Sequence, residues 1–405
     1  MSEFRKKTIR DAKARGQKAL LRVDFNVKIQ DGQICEDARI RAALPTINYL
    51  LDQQAALIII SHLGRPKSGY EEKYSLKPVA ALLQQLLDQP VLFAEDCVGA
   101  AVEKQAVALG EGQVLLLENL RFHIEEEQND PVFAGQLARL ADIYVDDAFG
   151  MAHRAHASTV GVAKLLPAYA GLLLESELNN LNKVLNGRER PLMAVIGGAK
   201  VADKIGMVEN LLDKVDKLLI GGGMANTFLA AQGCNMQGAT VEEERLPWVK
   251  ELLNSKIAAK LILPVDVVAA KAFAADAVHR IVQPKDIPTG WLPLDIGPAT
   301  RQIFADELAY ARVIIWNGPL GVFEMTPFAA GTMAVARAVA DSGAFSVVGG
   351  GDSIAAINQA QVAERISFIS TGGGAMLKFL EGKELPGVAV LESSGLKHKD
   401  KNQAL

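Results

Sequence analysis

Residues 191–206, PLMAVIGGAKVADKIG, decide how the fold is read. The apolar run has the length of a buried strand, a Gly-Gly turn follows, and the remainder reads as a helix carrying Lys200 and Lys204. A four-residue spacing places both ammonium groups on one helical face, where they repel by a few tenths of a kcal/mol unless an anion lies between them. The first N–H groups of a helix also point back toward the turn and attract negative charge. Phosphate is the expected ligand.

The same strand, glycine turn and helix recur downstream. KLLIGGGMANTFLAAQG (217–233), RVIIWNGPLGVFE (312–324), FSVVGGGDSIAAINQ (345–359) and ISFISTGGGAMLKFLEG (366–382) each set a glycine-containing turn after a β-branched apolar run. Glycine there lets backbone approach a ligand closely. Several such turns at the ends of parallel strands point to a nucleotide cleft. Asp352 or Ser353 is placed to cap one helix, and Asp352 to lie near a metal held by nucleotide phosphates. Glu324 lies beyond a strand end, where it can bond a ribose hydroxyl. Neither GxxxxGK[ST] nor GxGxxG occurs, which excludes a P-loop enzyme by sequence and weakens a dinucleotide reading.

Upstream, LLRVDFNV (20–27) alternates, with Leu21, Val23, Phe25 and Val27 facing the core and Arg22, Asp24 and Asn26 facing out. Arg39 follows near the start of a helical pattern and opposes its dipole, which hints at a ligand. The run ALIII (56–60) breaks into SHLGRPKSG, placing His62 and Arg65 at a strand's carboxyl end. Arg121 in VLLLENLRFH and Arg154, between His153 and His156, occupy equivalent places. Strands alternating with helical segments such as 77–87 imply βαβ units and a parallel sheet, whose ligands bind at the carboxyl ends. Arg22, Arg39, His62, Arg65, Arg121 and Arg154 then form a basic cup for a small polyanion, the forked guanidinium matching carboxylate and phosphate.

Between the halves, GLLLESELNNLNKVLNG (171–187) has helical spacing and is stopped by Gly187 and Pro191, so it reads as a connector able to flex at its ends. At 405 residues the chain is long enough for two domains. A net charge of −4 excludes a generally basic nucleic-acid binder, so positive sites must be local. No apolar run is long enough to span a bilayer and the first residues lack an apolar signal core, which predicts a cytoplasmic protein. Cys35, Cys97 and Cys234 lie far apart without paired ligand spacing, predicting buried, reduced thiols and no zinc site. No nucleophile stands beside a base, and an ionised carboxylate acceptor would need none.

RVDFNV, SHLGRP, ENLRF, DDAFG with AHRAHAS, GGAKVADKI, WNGPLGVFE, GGGDS, STGGGA and GKELPGV run in order along nearly the whole chain and resemble the phosphoglycerate kinase family. The resemblance implies two doubly wound parallel-sheet α/β domains, a phosphoglycerate domain at 1–171 and a nucleotide domain at 191–384. A helix and hinge at 172–190 would join them, and residues 385–405 would return to the first domain. It implies Mg²⁺-dependent, reversible transfer between 1,3-bisphosphoglycerate and ADP, giving 3-phosphoglycerate and ATP, by a cytoplasmic monomer without nucleic-acid or membrane partners. Asp24, Phe25, Asn26, Arg39, His62, Leu63, Gly64, Arg65, Arg121 and Arg154 are implied to hold phosphoglycerate. Gly198, Lys204, Gly222, Asn317, Glu324, Gly350, Gly351, Asp352 and Ser353 are implied to hold the nucleotide, with Asp352 near its Mg²⁺. Arg39, Lys200, Lys204, Gly372 and Gly373 are implied to act on the transferring phosphoryl group. Met376 and Lys378 stand where the family commonly carries Ser and Glu. The tail KHKDKNQAL (397–405) is expected to fray. The alternatives are a non-catalytic nucleotide or metabolite sensor on the same fold, and a nicotinamide dehydrogenase, whose fingerprint is lacking.

Overall fold

The computed structural model describes residues 6–67, 69–236 and 238–393, so the tail at 397–405 lies outside the described residues. The chain divides into two compact units at Asn179/Asn180, and it re-enters the first unit at Lys383/Glu384. The first division falls inside the helix Leu172–Asn186, within the stretch read as a connector.

The first unit contains β1 (Lys18–Arg22), a short hairpin of β2 (Ile29–Gln30) and β3 (Gln33–Ile34), β4 (Ala56–Ile60), β5 (Val91–Phe93), β6 (Val114–Leu116), β7 (Ile143–Asp146) and β8 (Ala168–Ala170). Six of these make one parallel sheet in the order β5-β6-β4-β1-β7-β8. All residues of β4 are buried, as a strand covered on both faces requires. The helix Lys77–Leu87 forms where the apolar spacing predicts, with Pro at its tolerant start and Val79, Ala80 and Leu83 facing the core. Those residues pack with Leu21, Leu57 and Ile59 of the sheet. Burying one such side chain stabilises the fold by about 1.5–3 kcal/mol. Residues 384–393 join this unit through Lys7 N–H donating to the Glu392 carbonyl at 2.8 Å and Gly387 N–H to that of Ala152 at 2.9 Å.

The second unit contains β9 (Leu192–Ile196), β10 (Lys217–Ile220), β11 (Leu261–Ile262), β12 (Val267–Ala270), β13 (His279–Val282), β14 (Leu292–Ile296), β15 (Val313–Asn317), β16 (Phe345–Gly349) and β17 (Phe368–Ser370). Its parallel sheet runs β11-β10-β9-β15-β16-β17, and β13-β12-β14 form a separate antiparallel sheet. Numbered within the unit, the parallel order is the dinucleotide-fold order 3-2-1-4-5-6, whose topological switch lies between β9 and β15. Trp316, fully buried, fills the core beside Phe304 and Val348, and its indole N–H donates to the Gly318 carbonyl at 2.8 Å.

Three local expectations need correction. The helix after β9 begins at Ile205, so Lys200 and Lys204 sit on the preceding turn rather than on one helical face. The N–H groups of Val201 and Ala202 donate to the carboxylate of Glu242 instead of waiting for a helical anion. Arg22, expected on an outer face, is fully buried, because β1 lies inside a sheet covered on both sides. Among the cysteines only Cys97 is buried; Cys35 is exposed and Cys234 half-buried. No helix among the described residues is long and apolar enough to cross a membrane.

Candidate functional site

In the first unit the topological switch lies between β1 and β7, where the sheet order reverses. Beyond the ends of the central strands a chain of polar contacts links most of the expected cup residues. Arg22 Nη2 stands 3.1 Å from His62 Nδ1, and its Nε donates to Ser158 Oγ at 2.8 Å. Because a guanidinium only donates, Nδ1 of His62 accepts and the ring proton sits on Nε2. That nitrogen is 3.9 Å from Asp24 Oδ1, and the other oxygen of Asp24 pairs with Arg39 Nη1 at 3.0 Å. Burial, reinforced by Arg22, Arg121 and Arg39, pushes the His62 imidazole well below its ordinary pKa, so it stays neutral and orients its neighbours.

The loop after β4 is pinned from two sides. Asn26 Oδ1 accepts the Gly64 N–H at 2.8 Å, and Arg121 Nη1 donates to the Gly64 carbonyl at 2.7 Å. Arg65, Arg121 and Arg154 line a cavity of about 780 Å³ together with Lys67, His123 and His156. The side chains of Phe25 and Leu63 belong to the core, which leaves their backbone to face a ligand. Arg22 does not line the cavity; it supports the cup from beneath.

Three supporting residues escaped the sequence reading. Asn119 accepts from Leu63 N–H at 3.1 Å and Arg121 N–H at 3.0 Å and donates to the Leu63 carbonyl at 2.8 Å, fixing two basic loops together. Glu126 is fully buried and accepts from Ser158 Oγ at 2.6 Å, with His156 Nδ1 3.7 Å away. Burial alone would raise its pKa; His156, Arg22 and Ser158 outweigh it and hold the carboxyl below its ordinary value. Ser158 thus bridges a buried carboxylate to the buried guanidinium of Arg22. Only the run ENLRF and the serine of AHRAHAS carried any signal of this, and alternation alone assigns them no role.

In the second unit the ends of β9, β15 and β16 are stitched by backbone and short polar side chains. Gly197 N–H donates to the Asn317 carbonyl at 3.0 Å, Asn317 Nδ2 to the Gly349 carbonyl at 2.7 Å, and Gly318 N–H to Ser353 Oγ at 2.6 Å. Neither Asp352 nor Ser353 caps the helix Gly351–Gln359, because the serine hydroxyl is already engaged by Gly318. Gly222 is at φ +67°, and a Cβ there would lie 2.6 Å from the Pro319 carbonyl, so the turn after β10 admits no side chain.

Lys204 donates to both the backbone and side-chain oxygens of Asn317. Its pKa is lowered to about 8 by burial, against the opposing pull of Asp352 and Asp203. Lys200 is exposed. A cavity of about 670 Å³ is lined by Gly198, Lys200, Gly222, Glu324 and Asp352, with apolar walls from Leu229, Phe273, Leu292 and Leu320. Those walls, drawn partly from the antiparallel sheet, were not expected from sequence. Gly372 and Gly373 precede the helix Gly374–Leu380, where Gly372 N–H donates to Ser370 Oγ at 3.1 Å, and they line neither cavity. Met376 is buried with its sulfur filling the space beside Gly349, and Lys378 pairs with Glu381 at 2.9 Å.

A family model described as phosphoglycerate kinase matches residues 9–383. A phosphoglycerate kinase of Herpetosiphon aurantiacus is 57% identical over 389 residues, covering 95% of this chain and 99% of its own length. One from Moorella thermoacetica is 56% identical over 388 residues, with 95% and 99% covered. The solved phosphoglycerate kinase of Coxiella burnetii superposes with a TM-score of 0.87 at 42% identity, covering 95% of this chain and 98% of that one.

Proposed function

Because the chain belongs to the phosphoglycerate kinase family, and so transfers a phosphoryl group reversibly between 1,3-bisphosphoglycerate and ADP, we propose that its two cavities divide that reaction between them. Arg65, Arg121 and Arg154 hold the phosphoglycerate, with Arg39 directed at the carboxyl end where the phosphoryl group is exchanged. Asp24, Asn26 and His62 keep those guanidinium groups oriented, and Phe25, Leu63 and Gly64 present backbone. Gly198, Gly222, Asn317, Gly350, Gly351 and Ser353 form the nucleotide cradle, with Glu324 at the ribose and the apolar walls around the base.

The acceptor carboxylate of 3-phosphoglycerate is ionised at neutral pH, so the chain needs no general base, in keeping with a neutral, buried His62. Catalysis then consists of positioning and of cations facing the charge that develops on the transferring phosphoryl group. Lys204 is the principal group for that task. Its ammonium is already aimed by Asn317, and burial makes its charge worth more than it would be in water. Lys200 assists, and Gly372 and Gly373 offer backbone to the migrating phosphate.

Asp352 lines the nucleotide cavity in the first helical turn after β16, where an oxygen donor suits a hard divalent ion. Asp352 would hold Mg²⁺ there together with the nucleotide, and the ion would supply positive charge to the phosphates. We propose further that the segment 172–190 bends as a hinge, so that Arg39 and Lys204 act on one phosphoryl group, and that the chain works as a cytoplasmic monomer. The observation that carries this reading is Lys204, a half-buried cation fixed by Asn317 at the topological switch of the nucleotide sheet. A coupled assay of ATP formation from ADP and 1,3-bisphosphoglycerate tests it, with turnover expected and its absence in a folded, ligand-binding protein opposing it.

A further inference from the structure

At the edge of the basic cavity, which His123 also lines, the structure gathers Asp96, Cys97 and His123, whose ligand atoms all lie within 4.8 Å of one another. From this geometry we propose that they form a site for a borderline-soft divalent transition ion, Zn²⁺ or Co²⁺ rather than Mg²⁺. The donor set is one thiolate, one imidazole nitrogen and one carboxylate oxygen, which zinc accepts and magnesium does not. Ligand atoms around tetrahedral zinc stand roughly 3.3–3.7 Å apart, so closure requires side-chain adjustment of about an ångström.

The three donors are held before any ion arrives. Asp96 Oδ1 accepts the Cys97 N–H at 2.6 Å and stands 2.7 Å from His123 Nε2. The His123 ring lies against Phe133, with centroids 5.3 Å apart. Cys97 is 1% exposed and reaches the cluster from the protein side, whereas the Asp96 side chain is 54% exposed and opens it to water, which completes the fourth position. On binding, the thiol proton of Cys97 passes to solvent, and the Nε2 proton of His123 moves to Nδ1 in the neutral ring or passes to solvent from the imidazolium, so the bound imidazole is neutral.

The site would staple the segment after β5 to the turn Leu120–Phe122, whose Arg121 holds Gly64. It is thus a clamp next to the anion cup, distinct from the nucleotide's own magnesium. The pattern was invisible in the sequence because the histidine lies 27 residues beyond Asp96.

The test uses the full chain with Cys35 and Cys234 replaced by Ser, stripped by a chelator and titrated with Zn²⁺ alone and with Co²⁺ alone. One equivalent per chain, a thiolate-to-cobalt charge-transfer band and the strong visible absorption of tetrahedral Co²⁺ are expected. Cys97→Ser should remove the band, and His123→Asn and Asp96→Asn should each weaken Zn²⁺ binding at least about tenfold. Should Cys97→Ser fail to fold, the other two variants decide, because their side chains reach the surface. A six-coordinate cobalt spectrum without the thiolate band, or zinc affinity unchanged in both His123→Asn and Asp96→Asn, would overturn the proposal.

Discussion

The two parallel sheets end in cavities built by different means. At the first, charged side chains dominate: Arg65, Arg121 and Arg154 line the cavity, and Arg22, His62, Ser158 and Glu126 form a buried polar network nearby. At the second, backbone dominates, with Gly197, Gly318 and Gly349 stitched across the switch, Lys204 held by Asn317 and Lys200 exposed at the cavity. A compact anion offers only oxygens, so forked guanidinium groups suit it. A nucleotide is long, and its phosphates need closely approaching backbone while its base needs apolar walls. The contrast teaches that the same rule of strand ends can be filled either by side-chain charge or by glycine.

The sharpest way to break the contrast is to remove the lysine held by Asn317 on the backbone-dominated side. Lys204→Ala should lower kcat by about a thousandfold or more, roughly 4 kcal/mol of transition-state stabilisation, with little change in phosphoglycerate KM. Steady-state kinetics checks this, with circular dichroism confirming the fold. Next comes the turn itself: Gly222→Val forces a β-branched residue into φ +67° with its Cβ against a carbonyl oxygen. Nucleotide binding should weaken about a hundredfold in calorimetry, and roughly 2–3 kcal/mol of stability should be lost in denaturant titration.

The pH dependence sharpens the same point. Lys204, lowered to about 8, carries its charge below that pH and loses it above, so kcat/KM for the free enzyme should fall about tenfold per pH unit well above 8. In a Lys204→Arg variant that alkaline limb should vanish. The smallest effect belongs to Glu324→Gln, which keeps the side-chain shape in the cavity lining and should raise nucleotide KM only about threefold.

Much of this architecture was legible in the sequence. The buried run 56–60, the helix 77–87 and each strand followed by glycine correspond to observed elements, because a strand covered on both faces must be continuously apolar. Arg22 was misread for a related reason. Alternation marks one face as polar, but it cannot tell that a helix layer covers that face and that Ser158, from far along the chain, receives the guanidinium. The helix after β9 started late because Glu242 captures the N–H groups of Val201 and Ala202, a contact across about 40 residues that local propensity cannot anticipate. The supporting roles of Asn119 and Glu126 were hidden likewise, since each depends on a partner brought in by the sheet.

The central claim is that the two anions are read by separable chemistries. Calorimetric titration of an Arg65→Ala variant with 3-phosphoglycerate and, separately, with ADP tests it most directly. The 3-phosphoglycerate affinity should fall ten- to a hundredfold while ADP affinity stays within about twofold. An equal loss for both ligands, or no loss for 3-phosphoglycerate, would contradict it.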